Sequence, residues 1–184
     1  MNEIYKRKSH STIGKIYFWT ATIHKWQHVL SSELFKQIIV NYLKKLSDEG
    51  LVTIYAFVLM PNHIHLIWQQ NKLNGKEAAF SSFLKYTAHI LLRQLKNNGL
   101  GDSFKVNASN KEFAFWQRDS MAIEIYSRRV ARQKIDYIHT NPVCGKWRLA
   151  TADIHYNYSS AKFYHSGVDD FGFLNDMFAY FDGT

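Results

Sequence analysis

The stretch MPNHIHLIW, residues 60–68, decides the interpretation of this chain because it places two histidines in a β-strand that follows a proline-asparagine turn. Side chains two positions apart on a strand share a face, so His63 and His65 point one way while Ile64 points the other. Two neighbouring imidazoles can supply half of a metal site. Taken alone, the same pair is also typical of histidines that are hydrogen-bonded or simply exposed.

The segments before this stretch predict a hairpin and a helix. Residues 52–60 are almost continuously apolar, which is typical of a central strand, and they lead through the turn into the strand 63–69. Residues 17–24 are rich in aromatic and β-branched types and predict a first strand. An amphipathic helix follows, with Ser32 at the end of a serine pair that offers an N-cap and Gly50 as its end.

The segments after the hairpin complete an alternating pattern of strands and helices. An apolar stripe predicts a long helix over residues 77–97, and residues 100–111 are polar and predict a loop. Residues 113–117 are a candidate for a short strand, and Ser127 can cap a third helix. We therefore expect an α+β protein with a ferredoxin-like (split βαβ) antiparallel sheet and helices packed on one face. The two histidines would line the other, open face.

The third helix carries the second informative motif, IDYIHTNPV. Its buried stripe turns Lys134, Tyr137 and Asn141 onto a neighbouring face, and Tyr137 and Asn141 lie one helical turn apart. A phenol and an amide oxygen could then meet a metal beside the histidine pair, which suits chemistry on a phosphodiester. Each residue also has a plainer explanation, since a tyrosine is usually core and an asparagine before proline usually ends a helix.

Composition and charge limit the functions to consider. The chain has 184 residues with 46% hydrophobic content, which predicts one domain over residues 1–150 with a tail, residues 151–184, docked on it. A formal charge of +8 favours an anionic polymer or surface as partner, and 16% aromatic residues would allow bases to stack. The single cysteine, Cys144, excludes an internal disulfide framework. No export signal or membrane span is evident, so we expect a cytoplasmic protein with no membrane partner.

Together these motifs resemble the single-tyrosine HUH transposases, named for their histidine, hydrophobic, histidine motif. MPNHIHLIW is similar to that motif, and FWQRDS, IEIYS and QKIDYIHTNPV resemble the region that supplies the nucleophilic tyrosine in the REP-associated tyrosine transposases. YNYSSAKFY, residues 156–164, resembles a tail motif of the same branch. The resemblance covers about residues 17–164.

The resemblance implies a mechanism. In this family Mg²⁺ or Mn²⁺ is held by both histidines and by a polar side chain one turn after the tyrosine, positions that His63, His65 and Asn141 occupy here. Tyr137 would attack the scissile phosphate in line and form a 5′-phosphotyrosine, which another strand's 3′-hydroxyl could reverse to make a new junction. Lys134 is a candidate for the positive potential that activates the phenol.

The resemblance also implies the partner. The substrate would be single-stranded DNA with hairpins, of the repetitive extragenic palindrome type. We expect a monomer, with a helix-swapped dimer as the alternative. The expected DNA contacts are basic residues of the N-terminal segment and of the region near the nucleophile: Lys6, Arg7, Lys8, Arg118, Arg128, Arg129 and Arg132.

One position departs from the family pattern, and two other functions stay open. Relatives commonly place a histidine shortly after the WQ pair, where this chain has Met121, so loss of activity in a domesticated copy is an alternative. A non-catalytic regulator that binds hairpin DNA or RNA would use the same basic, aromatic-rich surface. A metal-dependent phosphodiesterase would use water as the nucleophile and leave Tyr137 a structural role.

Overall fold

Four antiparallel strands form the central sheet of the computed structural model, which describes residues 12–118 and 120–183. The described residues form six strands: β1 (Ile16–Thr22), β2 (Val52–Met60), β3 (His63–Gln70), β4 (Lys105–Ala108), β5 (Lys111–Phe113) and β6 (Met121–Glu124). The central sheet has the order β2-β3-β1-β6, and β4 pairs with β5 in a separate hairpin. The predicted α+β class, the antiparallel sheet and the β2-β3 hairpin are confirmed.

Two helices cover one face of the sheet. They are α1 (Glu33–Asp48) and α2 (Ala79–Asn97), and they pack on the strand residues that alternate towards them. On β3 these residues are Ile64, Leu66 and Trp68, as the alternation predicted. The helix positions that complete this core include Ile39, Leu43 and Phe83.

A third helix, α3 (Arg128–Thr140), covers the opposite face. Its buried residues Ala131, Ile135 and Ile138 are the stripe that its sequence predicted. The expectation that this face is open is therefore wrong: His63 is 7% exposed and His65 is 4% exposed. The physical reason lies in β2, which is apolar on both faces and so requires a cover on each.

The edge strand of the sheet lies later in the sequence than expected. Residues 113–117 contribute to this sheet only an isolated antiparallel bridge, between Trp116 and Ile23 just beyond β1; the edge strand is β6, which pairs with β1. The aromatic signal at residues 115 and 116 instead reflects packing away from the sheet edge. Phe115 stacks on Phe104 with the ring centroids 5.5 Å apart, whereas Trp116 contacts Phe83 of α2 and its Nε1 donates to Thr87 Oγ1 at 3.0 Å. The predicted loop before this segment contains the small β4-β5 hairpin.

The C-terminal residues run along the free edge of β2 and include α4 (Ala161–Ser166) and α5 (Met177–Asp182). Tyrosine hydroxyls and backbone amides of this tail donate to carbonyl oxygens of β2: Tyr156 to Leu59, Tyr164 to Tyr55, Ser160 to Phe57 and Asn175 to Ile54. An exposed strand edge would otherwise be open to pairing with another chain. No helix in the described part of the chain has the length and apolar character needed to cross a membrane.

Candidate active site

A cavity of about 460 Å³ opens between one end of the sheet and α3. The residues predicted to carry the chemistry all line it, although they lie on two elements that are far apart in sequence. They are His63, His65, Lys134, Tyr137 and Asn141. Aromatic, hydroxyl and thioether side chains complete the wall: Phe18, Thr20, Thr22, Trp26, Met121 and Trp147.

Strand β1 holds the second histidine in place. Thr20 lies opposite His65 in the β1-β3 register, and Thr20 Oγ1 is hydrogen-bonded to His65 Nδ1 at 2.7 Å. The ring of Phe18 stacks on the same imidazole with the ring centroids 5.3 Å apart. His65 Nε2 is buried and has no hydrogen-bond partner among the described residues. A neighbour at Nδ1 and an unpaired Nε2 are the arrangement of a metal-ligating histidine.

The turn before β3 holds the first histidine. Asn62 Nδ2 donates to the carbonyl oxygen of Trp26 at 3.2 Å, which fixes the orientation of the Asn62 amide. Asn62 Oδ1 must then accept from His63 Nδ1, at 2.6 Å. A neutral imidazole that donates from Nδ1 carries its lone pair on Nε2, so His63 has the tautomer that suits a metal ligand.

The electrostatic environment keeps both imidazoles neutral. Burial lowers the pKa of His63 to about 4, and the nearby Lys146 ammonium adds to the effect. Burial likewise lowers the pKa of His65 to about 3, with further contributions from His63 and Lys134. Only the unprotonated ring can bind a metal, so this environment keeps the pair ready to act as ligands near neutral pH.

Helix α3 places the phenol beside the histidine pair. The Tyr137 ring lies 5.2 Å from the His65 ring, measured between centroids, and Tyr137 is 49% exposed. Lys134 lies one turn earlier on the same helix, with its Nζ 5.0 Å from the centroid of Phe18. The histidines and the tyrosine meet within one chain, so no second subunit is needed to assemble these groups.

The donor set fits a divalent ion. Among the described residues no group of three or more His, Cys, Asp or Glu side chains is placed to hold a metal. His63, His65 and Asn141 all line the cavity, so two imidazoles and one side-chain amide are the groups that could hold a metal there. The buried Nε2 of His65, which has no hydrogen-bond partner among the described residues, is the observation that favours metal binding here.

Several side chains of the site were not predicted from the sequence. Thr20 and Phe18 were assigned only to a strand, and Asn62 only to a turn. Trp26 and Trp147 were not singled out at all. The alternation along β1 places Phe18, Thr20 and Thr22 on one face, but the register that sets Thr20 against His65 depends on long-range pairing.

The predicted DNA contacts fall into three groups. Lys6, Arg7 and Lys8 lie outside the described residues, and Arg118 and Arg129 are exposed. Arg128 forms an ion pair with Asp182, and the Arg132 guanidinium lies 4.5 Å from the ring centroid of Phe178, so both contact α5. Met121, the position where the family pattern has histidine, contributes to the cavity wall.

The fold and the site define a ferredoxin-like sheet whose His-X-His strand faces a helix-borne tyrosine. The chain has the fold of a solved REP-associated tyrosine transposase bound to a REP hairpin, with a TM-score of 0.60 and 20% identity over 96% of this chain and 93% of that chain. This likeness confirms the resemblance at the level of the fold.

A second solved structure is more distant. It is a crystal structure from Deinococcus radiodurans, whose assignment as a transposase is provisional, with a TM-score of 0.37 and 14% identity over 71% of this chain and 94% of that chain. No protein-family model matches the chain, and neither does any curated protein sequence.

Proposed function

We propose that this protein is a transposase that cleaves and rejoins single-stranded, hairpin-bearing DNA through a 5′-phosphotyrosine. The observation that carries the proposal is the meeting of Tyr137 with His63 and His65 in one cavity, with the Tyr137 and His65 rings 5.2 Å apart. The fold shared with a transposase that was solved with a REP hairpin supports it.

Tyr137 is the nucleophile in this proposal. Its oxygen attacks the phosphorus in line, the bond from phosphorus to the 3′ oxygen breaks, and the released strand ends in a 3′-hydroxyl. The phosphodiester energy is kept in the phosphotyrosine, so the 3′-hydroxyl of another strand can reverse the step without ATP. The exposed half of the Tyr137 side chain leaves room for a strand to approach. Lys134, on the same wall of the cavity, provides positive potential that favours the phenolate.

His63, His65 and Asn141 would hold Mg²⁺ or Mn²⁺ beside the tyrosine. Such an ion, when bound, neutralises and polarises the scissile phosphate. The protein's own contribution is to keep both imidazoles unprotonated by burial and to orient them through Asn62 and Thr20. Burial also excludes water from one side of the site, which strengthens the interactions made there.

The charge of the chain supports a nucleic-acid substrate. A formal charge of +8 attracts a polyanion, and Arg118 and Arg129 are exposed cations that would be available to contact phosphates. Because all predicted catalytic groups come from one chain, a monomer is sufficient for cleavage. A cytoplasmic location stays a prediction.

A covalent-adduct assay tests the proposal. The protein is incubated with end-labelled single-stranded hairpin DNA and Mn²⁺, and the products are separated on a denaturing gel. We expect a protein-DNA adduct that disappears with Tyr137→Phe, while DNA binding persists. The matched control is Tyr126→Phe, which removes a hydroxyl from a tyrosine that is 73% exposed and does not line the cavity, and which should leave the adduct intact.

Two outcomes would contradict the proposal in different ways. Cleavage without an adduct would indicate that water is the nucleophile and that the protein is a metal-dependent phosphodiesterase. Binding with neither cleavage nor adduct would indicate a regulator that uses the same surface without chemistry.

A further inference from the structure

Trp26, which lines the cavity, lies in a segment with an unusual backbone conformation. Lys25 and Trp26 both have left-handed conformations, with φ of 54° and 58°, although neither is glycine. Consecutive residues of this kind are rare outside functional sites, because the conformation is strained for any side chain with a Cβ. The Trp26 amide donates to the Ile23 carbonyl at 2.9 Å and its carbonyl accepts from Asn62 Nδ2, so both sides of the residue are held.

The strain places a large apolar ring where it is not buried. Trp26 is 57% exposed, yet its indole lines the cavity with its centroid 6.4 Å from that of His63. An exposed ring gains little from the hydrophobic effect within the folded chain. The arrangement is therefore better explained by a ligand that covers the ring than by folding.

A second indole approaches the same histidine from another segment. The Trp147 ring lies 6.0 Å from the His63 ring, between centroids, and also lines the cavity. The residue that follows, Arg148, is the third non-glycine residue with positive φ, at 42°. All three such residues in the described part of the chain thus belong to, or directly adjoin, the two tryptophans on the rim of the cavity.

The charges around the Trp26 and Trp147 rings indicate which class of ligand they would bind. Lys25, Lys146 and Arg148 are exposed next to them in sequence, and Lys146 Nζ lies 5.2 Å from the Trp147 ring centroid. No Asp or Glu is among the described residues that line the cavity. Flat aromatic surfaces bordered by cations and without carboxylates suit a nucleobase attached to a phosphate backbone.

We propose that Trp26 and Trp147 form a stacking site for the unpaired nucleobase that adjoins the phosphate attacked by Tyr137. The inference rests on the proposed function, and it adds a requirement: the base at this position must be unpaired, since a base inside a duplex already has both faces stacked. Cleavage is then restricted to single-stranded positions outside the hairpin stem. Trp26 and Trp147 are specificity-determining residues in this arrangement.

Binding measurements without cleavage test the stacking site. Fluorescein-labelled oligo-dT and an abasic oligomer of equal length carry the same backbone charge, and their affinities are measured by fluorescence anisotropy in EDTA. Trp26→Ala should weaken binding of oligo-dT about 10-fold, as expected for the loss of one stacked base, and leave the abasic oligomer unaffected. Trp147→Ala should behave in the same way, and Trp26→Phe should retain most of the affinity.

The control separates stacking at this site from the loss of any aromatic surface. Tyr86→Ala removes a 43% exposed ring from α2, on the far face of the sheet, and should not change either affinity. Melting curves recorded by circular dichroism establish that each variant is folded. An equal loss for both oligomers with Trp26→Ala, or no loss for either, would overturn the stacking site.

The stacking site and the proposed function can fail separately. The binding assay contains no metal and requires no cleavage, so it reports on the rings even if the wild-type protein forms no adduct. If the adduct forms, Trp26→Ala should raise KM and leave kcat nearly unchanged, because the ring acts in binding rather than in the attack. An adduct with unchanged KM would reject the stacking site alone.

Discussion

The two faces of the central sheet are built from the same strands but differ in what they bury. The face under α1 and α2 is packed with apolar side chains, among them Trp19, Leu66 and Phe83. The face under α3 also has an apolar cluster, which includes Ile67 and Ile135, yet at one end the strand residues are His63 and His65. Alternation along a single strand, β3, therefore serves packing on one face and places polar groups on the other.

This difference shows that the side chains that stabilise the fold and those of the candidate site lie largely on different faces of the sheet. Buried apolar contacts contribute to stability, whereas a buried imidazole with an unpaired nitrogen reduces it. The His65 side chain is such a group, and the proposed role as a metal ligand would account for its retention. Substitutions on the two faces should accordingly have opposite effects on stability and on activity.

The largest effect is expected when His65 and its hydrogen-bond partner Thr20 are both replaced by apolar residues. The double variant His65→Leu with Thr20→Val removes both partners of the 2.7 Å hydrogen bond and the unpaired Nε2. Adduct formation should fall by roughly 10³-fold or more, because electrostatic stabilisation of the phosphate is lost. The free energy of unfolding of the metal-free protein should stay equal or rise by about 1 kcal/mol. Single-turnover gels and urea titration measure the two quantities.

The second-largest effect is expected on the face under α1 and α2, where a substitution should lower stability without changing activity. Phe83→Ala removes a fully buried ring that contacts Trp19 and Trp68, and it should lower the free energy of unfolding by about 3–5 kcal/mol. Adduct formation per folded molecule should not change. Leu34→Ala, at an exposed position of α1, is the matched control and should change stability by about 0.5 kcal/mol or less. A selective loss of cleavage in Phe83→Ala would show that the faces are coupled.

The dependence of stability on pH sharpens the same comparison. The pKa of His65 is lowered to about 3 by burial, so the unfolded chain binds a proton at His65 below pH 6.5 while the folded chain does not. Above pH 6.5 the His65 ring is neutral in both the folded and the unfolded state, so it does not change the free energy of unfolding with pH. Below pH 6.5 the free energy of unfolding decreases as the pH falls. Each such ring costs about 1.4 kcal/mol per pH unit in this range.

Urea titrations of the metal-free protein at several pH values below 7 check this slope. The double variant at His65 and Thr20 should lose less stability on acidification than the wild type, by the contribution of one ring. His63, whose pKa is lowered to about 4, should lower the stability of both proteins on acidification down to about that pH. Identical slopes for the two proteins would show that His65 is protonated as readily in the folded state as in the unfolded state.

Much of the fold could be predicted from the sequence because it depends on local residue patterns. The apolar run of β2, the turn at Pro61 and Asn62, and the stripe of α3 predicted the bounds of those elements closely. The edge strand was misplaced because residues 115 and 116 are aromatic for a different reason, which is packing on Phe104 and on α2, respectively. A sequence pattern reports that a segment is buried, but it does not report which partner buries it.

The same limit applies to the site. Spacing predicted that His63 and His65 share a face and that Tyr137 and Asn141 share another, and the structure brings these four residues to one cavity. The hydrogen bonds that join His63 Nδ1 to Asn62 Oδ1 and His65 Nδ1 to Thr20 Oγ1 depend on turn geometry and strand register. The burial of the histidines was missed because the cover provided by α3 is a tertiary feature.

The smallest effect concerns backbone strain, which is concentrated beside the site rather than under α1 and α2. Lys25 has φ of 54°, so Lys25→Gly should relieve a strained conformation and raise the free energy of unfolding by about 0.5–1 kcal/mol. Lys76→Gly is the matched control at another exposed turn lysine, which does not have positive φ, and it should lower stability by a similar amount. Urea titration measures both variants. If both glycines destabilise the protein equally, the backbone at Lys25 is not strained, and the rim of the cavity does not reduce stability to present Trp26.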